Sequence, residues 1–261
     1  MKRTNFACYA SGLRLQIAPY KTDKVMFIRA ISIFAAIVAT ATAVEGSVPI
    51  VVETGAGRRT AMTRVHDAGE ALKKGDIAVA KRNVDAALQA DPKFWPALYV
   101  RAQIFATEGK YELAIQDCNQ ALRLYPGFVE AALLRARINI HLGKYAEALK
   151  EFDSIISMHP RSVTLARALS DRAWFQATCQ NPSFRNGQQA VKDAKAACSI
   201  MEWKDEDMID TLAAAYAETG DFDSAARYAA QALTIKEITP SDAKRIQQHL
   251  TLFQQHTPIR L

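Results

Sequence analysis

The sequence predicts an all-α chain, a right-handed solenoid of about five helical hairpins closed by a C-terminal helix. Three observations lead there. Gly75-Asp76-Ile77 returns as Gly109-Lys110-Tyr111 and Gly143-Lys144-Tyr145, a step of 34 residues that also links Pro92, Pro126 and Pro160. Alanines recur at fixed offsets from each glycine, Ala68, Ala102 and Ala136 before it and Ala80, Ala114 and Ala148 after it. An alanine at matching heights on two helices lets their backbones approach closely, so these mark the crossing points. Each second helix then ends at Asp91-Pro92, Tyr125-Pro126 or His159-Pro160, because proline disfavours a helical residue before it.

In chain order, residues 1–43 read as a secretory signal. Lys21, Lys24 and Arg29 precede an apolar run from Ala30 to Ala39, and Ala41-Thr42-Ala43 fits a small-residue cleavage site before Val44. Met26 is an alternative start. The rival reading is an uncleaved inner-membrane anchor, although Arg29 interrupts the apolar stretch from Val25 to Val44. Export to a bacterial periplasm is the localisation expected. Residues 44–60, with Gly46, Pro49, Gly55 and Gly57, read as a flexible linker.

The repeat array occupies residues 61–236. After the three in-phase units the spacing fails, yet Ala173, Ala190 and Ala197 fit the small positions if residues 180–187 form a widened turn. Gly220-Asp221-Phe222, with Ala213, Ala225 and Ala232, restores the pattern in a fifth unit. Residues 237–261 form the cap: Ser241 reads as an N-cap, the helix runs from Lys244, and Ile246, Leu250 and Phe253 recur at helical spacing.

Charged residues follow the same period. Arg101 and Asp117, Arg135 and Glu151, and Arg172 and Asp193 predict one ion pair inside each hairpin, and the first unit exchanges the signs as Asp67 and Arg82. The excess of 33 Lys and Arg over 27 Asp and Glu resides in the leader; removing residues 1–43 leaves 27 against 26. A basic nucleic-acid footprint is therefore not supported. Past the leader, Cys118, Cys179 and Cys198 allow at most one disulfide, and the last two lie toward opposite ends of their hairpin, beyond bonding reach. The five histidines show no metal-ligand spacing, and Gly55-Ala56-Gly57 is only a fragment of a dinucleotide loop. No cofactor, metal or catalytic residue is predicted.

The glycine between helices, the aromatic after it, the small crossing residues and the closing proline together resemble the tetratricopeptide repeat (TPR), over residues 61 to 236. The later units, with Ala173-Trp174-Phe175-Gln176-Ala177-Thr178-Cys179, resemble a variant repeat of bacterial exported proteins. The resemblance implies a non-enzymatic scaffold whose concave groove holds a peptide or protein partner. It further implies that Tyr99, Gln103, Leu133, Arg137, Ser170, Trp174 and Asp210 line that groove, with Glu130 and Asp207 on the rim. Arg137 stands out, because Arg135 takes Glu151 and leaves it without an acid at the matching position of the second helix, with Glu130 on its own helix as the competing partner. The Lys and Asn residues of the family's carboxylate clamp are not at these places. The partner is unidentified, with nucleic acid not expected and a membrane involved only through an uncleaved leader. An accessory subunit of an envelope enzyme, with Cys179 as reactive group, is the alternative.

Overall fold

The computed structural model describes residues 55–160 and 162–261, so the leader, the Val44 cleavage site, the alternative start and most of the linker lie outside the described residues. Eleven helices and no strand are present among the described residues. Five hairpins follow one another: α1 (Gly55–Lys73) with α2 (Ile77–Ala90), α3 (Trp95–Thr107) with α4 (Tyr111–Leu124), α5 (Val129–His141) with α6 (Tyr145–Ser157), α7 (Ser162–Thr178) with α8 (Gly187–Ile200), and α9 (Glu206–Glu218) with α10 (Phe222–Ala232). Helix α11 (Pro240–Gln254) closes the stack, packing on α10 and α9 as a next first helix would.

The repeat residues behave as their spacing implied. Gly75, Gly109, Gly143 and Gly220 all have φ between 71° and 83°, the left-handed conformation that ends a helix at its C′ position. Ala68, Ala80, Ala102, Ala114, Ala136, Ala148, Ala173, Ala190, Ala213 and Ala225 are all fully buried at the crossings. The widened turn of the fourth hairpin is a 3₁₀ turn, Pro182–Phe184, after which Asn186 caps α8 by accepting from the Gln189 amide. Asp76, Asp205 and Asp221 cap α2, α9 and α10 in the same way.

Three expectations are corrected. The first helix begins at Gly55, so residues 55–60 belong to the array rather than to a linker. Gly57 shows why: a Cβ there would stand 2.7 Å from the Ala90 carbonyl oxygen, so this turn of α1 packs directly on the end of α2. The closing helix begins at Pro240, with Thr239 as its N-cap instead of Ser241; proline at the first helical position lacks only an amide that would have had no helical partner. Asp67 and Arg82 both stay exposed, and the bond joining α1 to α2 runs from Arg64 to Asn83 at 3.2 Å.

The other ion pairs form inside their hairpins. Arg101 Nε lies 2.7 Å from Asp117 Oδ2, Arg135 Nε 3.0 Å from Glu151 Oε1, and Arg172 Nε 2.7 Å from Asp193 Oδ2. Cys118, Cys179 and Cys198 are free and buried. Burial pushes the Cys118 and Cys198 thiols up to about 12.

Candidate partner-binding groove

The first helices of successive hairpins stand side by side, and residues one repeat apart meet across them. Thr164 Oγ1 donates to Glu130 Oε1 at 3.4 Å, and Arg137 forks onto Asp171, with Nε 2.7 Å from Oδ2 and Nη2 3.0 Å from Oδ1; both pairs are separated by 34 residues. Three adjoining cavities run along this face. A small one of about 60 Å³ lies among Tyr99, Gln103, Glu130, Leu133, Arg137 and Arg167. Arg137 also walls a larger one of about 480 Å³ that continues past Asp171 and Trp174 to Tyr145, Phe175 and Leu261. Asp171 and Trp174 in turn wall a third, of about 340 Å³, completed by Ser170, Asp207, Thr211, Asp242 and Arg245. Shared walls make the three neighbours along one face.

Each predicted groove residue can be placed. The Tyr99 hydroxyl accepts from Gln103 Nε2 at 3.2 Å, while its ring packs edge-on to Phe128 at 4.9 Å. Burial raises the Tyr99 phenol above its ordinary range, against the pull of Arg137. Leu133 is buried in the core and offers the groove only an edge. Trp174 is half-buried on the wall between the two larger cavities, 5.8 Å from the His249 ring. Ser170 is buried and bonded to Thr211 at 3.3 Å.

Two placements overturn the sequence reading. Arg137 is not a free guanidinium, because Asp171 on α7 holds it with both oxygens. Burial moves the Asp171 carboxyl upward even so, with Arg137 opposing. Asp210 is not in the groove at all: it is 0% exposed, and its Oδ2 accepts from Arg245 Nη1 and pairs with His249 Nδ1, each at 2.8 Å. Its partners come from α11, outside the repeat.

The residue that sequence reasoning missed is Arg167. It is exposed on the groove side of α7, and among the described residues it forms no ion pair. Its signal was present, since Arg167 stands one repeat after Leu133 and two after Tyr99. Helix α7 has 17 residues against 13 in α3 and α5. Its start keeps the 34-residue register with α5, while its contacts with α8 slip by about one turn. Phasing α7 from its crossing alanine therefore selected Ser170 and Trp174, one turn beyond Arg167 and Asp171.

Two family models, each described as tetratricopeptide repeat, match residues 68–127 and 105–172. The chain is a tetratricopeptide repeat protein. Solved structures show the same fold for this TPR array: TTC0263, a thermophilic TPR protein from Thermus thermophilus, aligns with a TM-score of 0.63 at 18% identity over 74% of this chain and 100% of that one. PilW, described as a widely conserved type IV pilus biogenesis factor, aligns with a TM-score of 0.63 at 18% identity, over 76% of this chain and 87% of that one. The APC/C hetero-tetramer Cut9–Hcn1 contains a chain matching at 0.62 and 20% identity, over 75% of this TPR protein, which spans only 36% of that longer chain. No curated protein matches this sequence significantly.

Among the described residues of this TPR protein, no cluster of three or more His, Cys, Asp or Glu is suited to a metal ion, and no helix is long and apolar enough to cross a membrane. Cys179 lies on the wall of the 480 Å³ cavity at only 4% exposure.

Proposed function

We propose that this chain is a non-catalytic scaffold that holds an extended segment of a protein partner in its concave groove. The observation that carries the reading is the row of three cavities that share Arg137, Asp171 and Trp174 as walls. A surface with an aromatic face, a rigid charge pair and the unpaired Arg167 has the side chains that dominate interface energies. TPR arrays generally mediate protein–protein interaction, which supports the same reading. Export and a role in cell-envelope assembly belong to this proposal; the signal-like residues 21–43 support the first, and the structural likeness to the pilus factor PilW suggests the second.

A photo-crosslinking residue placed at Gln103, and separately at Trp174, tests it in the native cell. A discrete crosslinked partner is expected from both groove positions and not from Lys150, exposed on the second helix of its hairpin. Equal crosslinking from Lys150, or none from the groove, overturns the reading. N-terminal sequencing of the same material checks export, with Val44 as the expected first residue.

A further inference from the structure

The cavity between α7, α9 and α11 is unlike the other two in charge. Three carboxylates line it, Asp171, Asp207 and Asp242. Arg245 is the guanidinium on its wall, and it pairs with Asp207 and Asp242 while also reaching Asp210 behind them. Three carboxylates thus share one guanidinium, with the His249 ring as a further partner of Asp210 and the Thr239 hydroxyl of Asp242, and the fourth, Asp171, is held by Arg137 from the neighbouring cavity. Asp210 Oδ1 is buried and has no hydrogen-bond partner, so the negative charge behind this wall is not fully met by protein donors. One side of the cavity is Trp174, whose ring face attracts a cation within about 6 Å.

Resting on the groove reading above, we propose that this cavity is the subsite for a lysine or arginine side chain of the bound segment. The adjoining 480 Å³ cavity, walled by Tyr145, Phe175 and Trp174 again, then takes a large apolar side chain of the same segment. Side chains i and i+2 of an extended chain emerge on one side roughly 7 Å apart, which suits two neighbouring cavities that share one side chain as a wall. The partner class is therefore an extended basic–x–apolar segment. A cation entering between Asp207 and Asp242 adds a second charge partner to carboxylates whose one cationic partner is Arg245, Asp242 having besides it only the Thr239 hydroxyl, whereas an acidic side chain there would meet like charge with no unpaired donor.

A positional-scanning library of end-capped hexapeptides, presented to the full chain, tests the inference. Selection of Lys or Arg at one position, with a large apolar residue two positions away, is expected. Replacing the selected base by Glu should weaken binding at least tenfold. Asp207→Asn with Asp242→Asn should remove most of the preference for the base while retaining the apolar one. Because Asp242 also serves the start of α11, Asp207→Asn alone, at an exposed side chain, repeats the test if the double variant is unfolded. Selection of Asp or Glu at that position would overturn the basic subsite and leave the groove reading standing, as would a preference for bases that survives Asp207→Asn undiminished. Absence of any selected peptide would overturn both.

Discussion

The regular and irregular halves of the molecule bury their side chains differently. From α1 to α6 the core is divided into small clusters, each shared by neighbouring helices, such as Ala68, Val84 and Ile104 in one and Ala102, Cys118 and Ile138 in another. From α7 onward a single cluster runs from Ala166 through Leu212 and Ala225 to Ile246, Phe253 and Ile259. Long-range polar contacts reinforce it: Leu261 donates its amide to the Thr178 carbonyl at 2.9 Å, and Arg260 pairs with Glu218 at 2.6 Å. The lesson is that strict periodicity leaves each hairpin dependent on its neighbours alone, whereas departure from it knits several hairpins into one unit.

The largest effect should come from breaking the knitted half at its cap. Phe253 is fully buried in that common cluster, so Phe253→Ala should cost about 3–5 kcal/mol. Native-state hydrogen exchange should show protection falling together across α7–α11, with α1–α4 little changed. Loss confined to α10 and α11 would mean that the second half is as modular as the first.

Next come the ion pairs, one from each half. Arg172 and Asp193 are 13% and 4% exposed in their side chains, whereas Arg101, the partner of Asp117, is 32% exposed. Removing the arginine leaves a buried carboxylate without its cation, which costs on the order of 3 kcal/mol when water cannot replace it. Arg172→Met should therefore exceed Arg101→Met, in thermal or denaturant unfolding, by more than about 1 kcal/mol. Equal losses would show that exposure of the arginine does not set the cost.

Overpacking a crossing in the regular half should have a smaller and more local effect. Ala136→Leu is expected to cost about 1–3 kcal/mol, read as reduced exchange protection in α5 and α6 alone.

How far the sequence disclosed all this follows from where information is periodic. Crossing alanines, left-handed glycines and the three intra-hairpin pairs were legible because each is repeated at a fixed offset within one unit. The Arg137–Asp171 fork was not, since its partners belong to different hairpins and the reading matched charges only within each one. Asp210 was misplaced because Arg245 and His249 lie on a helix outside the repeat. Arg167 was hidden by the extra length of α7, which separates the register of the groove face from that of the crossing.

The buried thiols offer a comparison through pH, with Cys118 in the regular half and Cys198 in the knitted one. Both are raised by burial to about 12, above the ~8.5 of an unfolded thiol. A raised folded value means that the stability is fully present below the unfolded pKa and is lost as pH climbs toward the folded one. Stability should fall by about 1 kcal/mol per thiol between pH 8.5 and 9.5, and Cys118→Ala or Cys198→Ala should each remove its share of the slope. Thiol labelling at pH 8 should follow local opening, so Cys118, in the separately clustered half, is expected to react before Cys198. The reverse order would contradict the division of the molecule.

The smallest stability effect is expected at Arg167, and its contrast with Arg137 sharpens the distinction between the parts that hold the array together and those it offers to a partner. The two guanidiniums wall the same 60 Å³ cavity. Arg137 is engaged by both oxygens of Asp171, so Arg137→Met strands a largely buried carboxylate and should lower stability by about 1–2 kcal/mol. Arg167 is exposed and forms no ion pair among the described residues, so Arg167→Met should stay within about 0.5 kcal/mol of the parent. Crosslinking from Gln103 should nevertheless drop severalfold in Arg167→Met, because the unpaired guanidinium is free to donate to the carbonyls of an extended segment. A lowered thermal midpoint with undiminished crosslinking would assign Arg167 to the fold and leave this end of the groove to Tyr99 and Gln103.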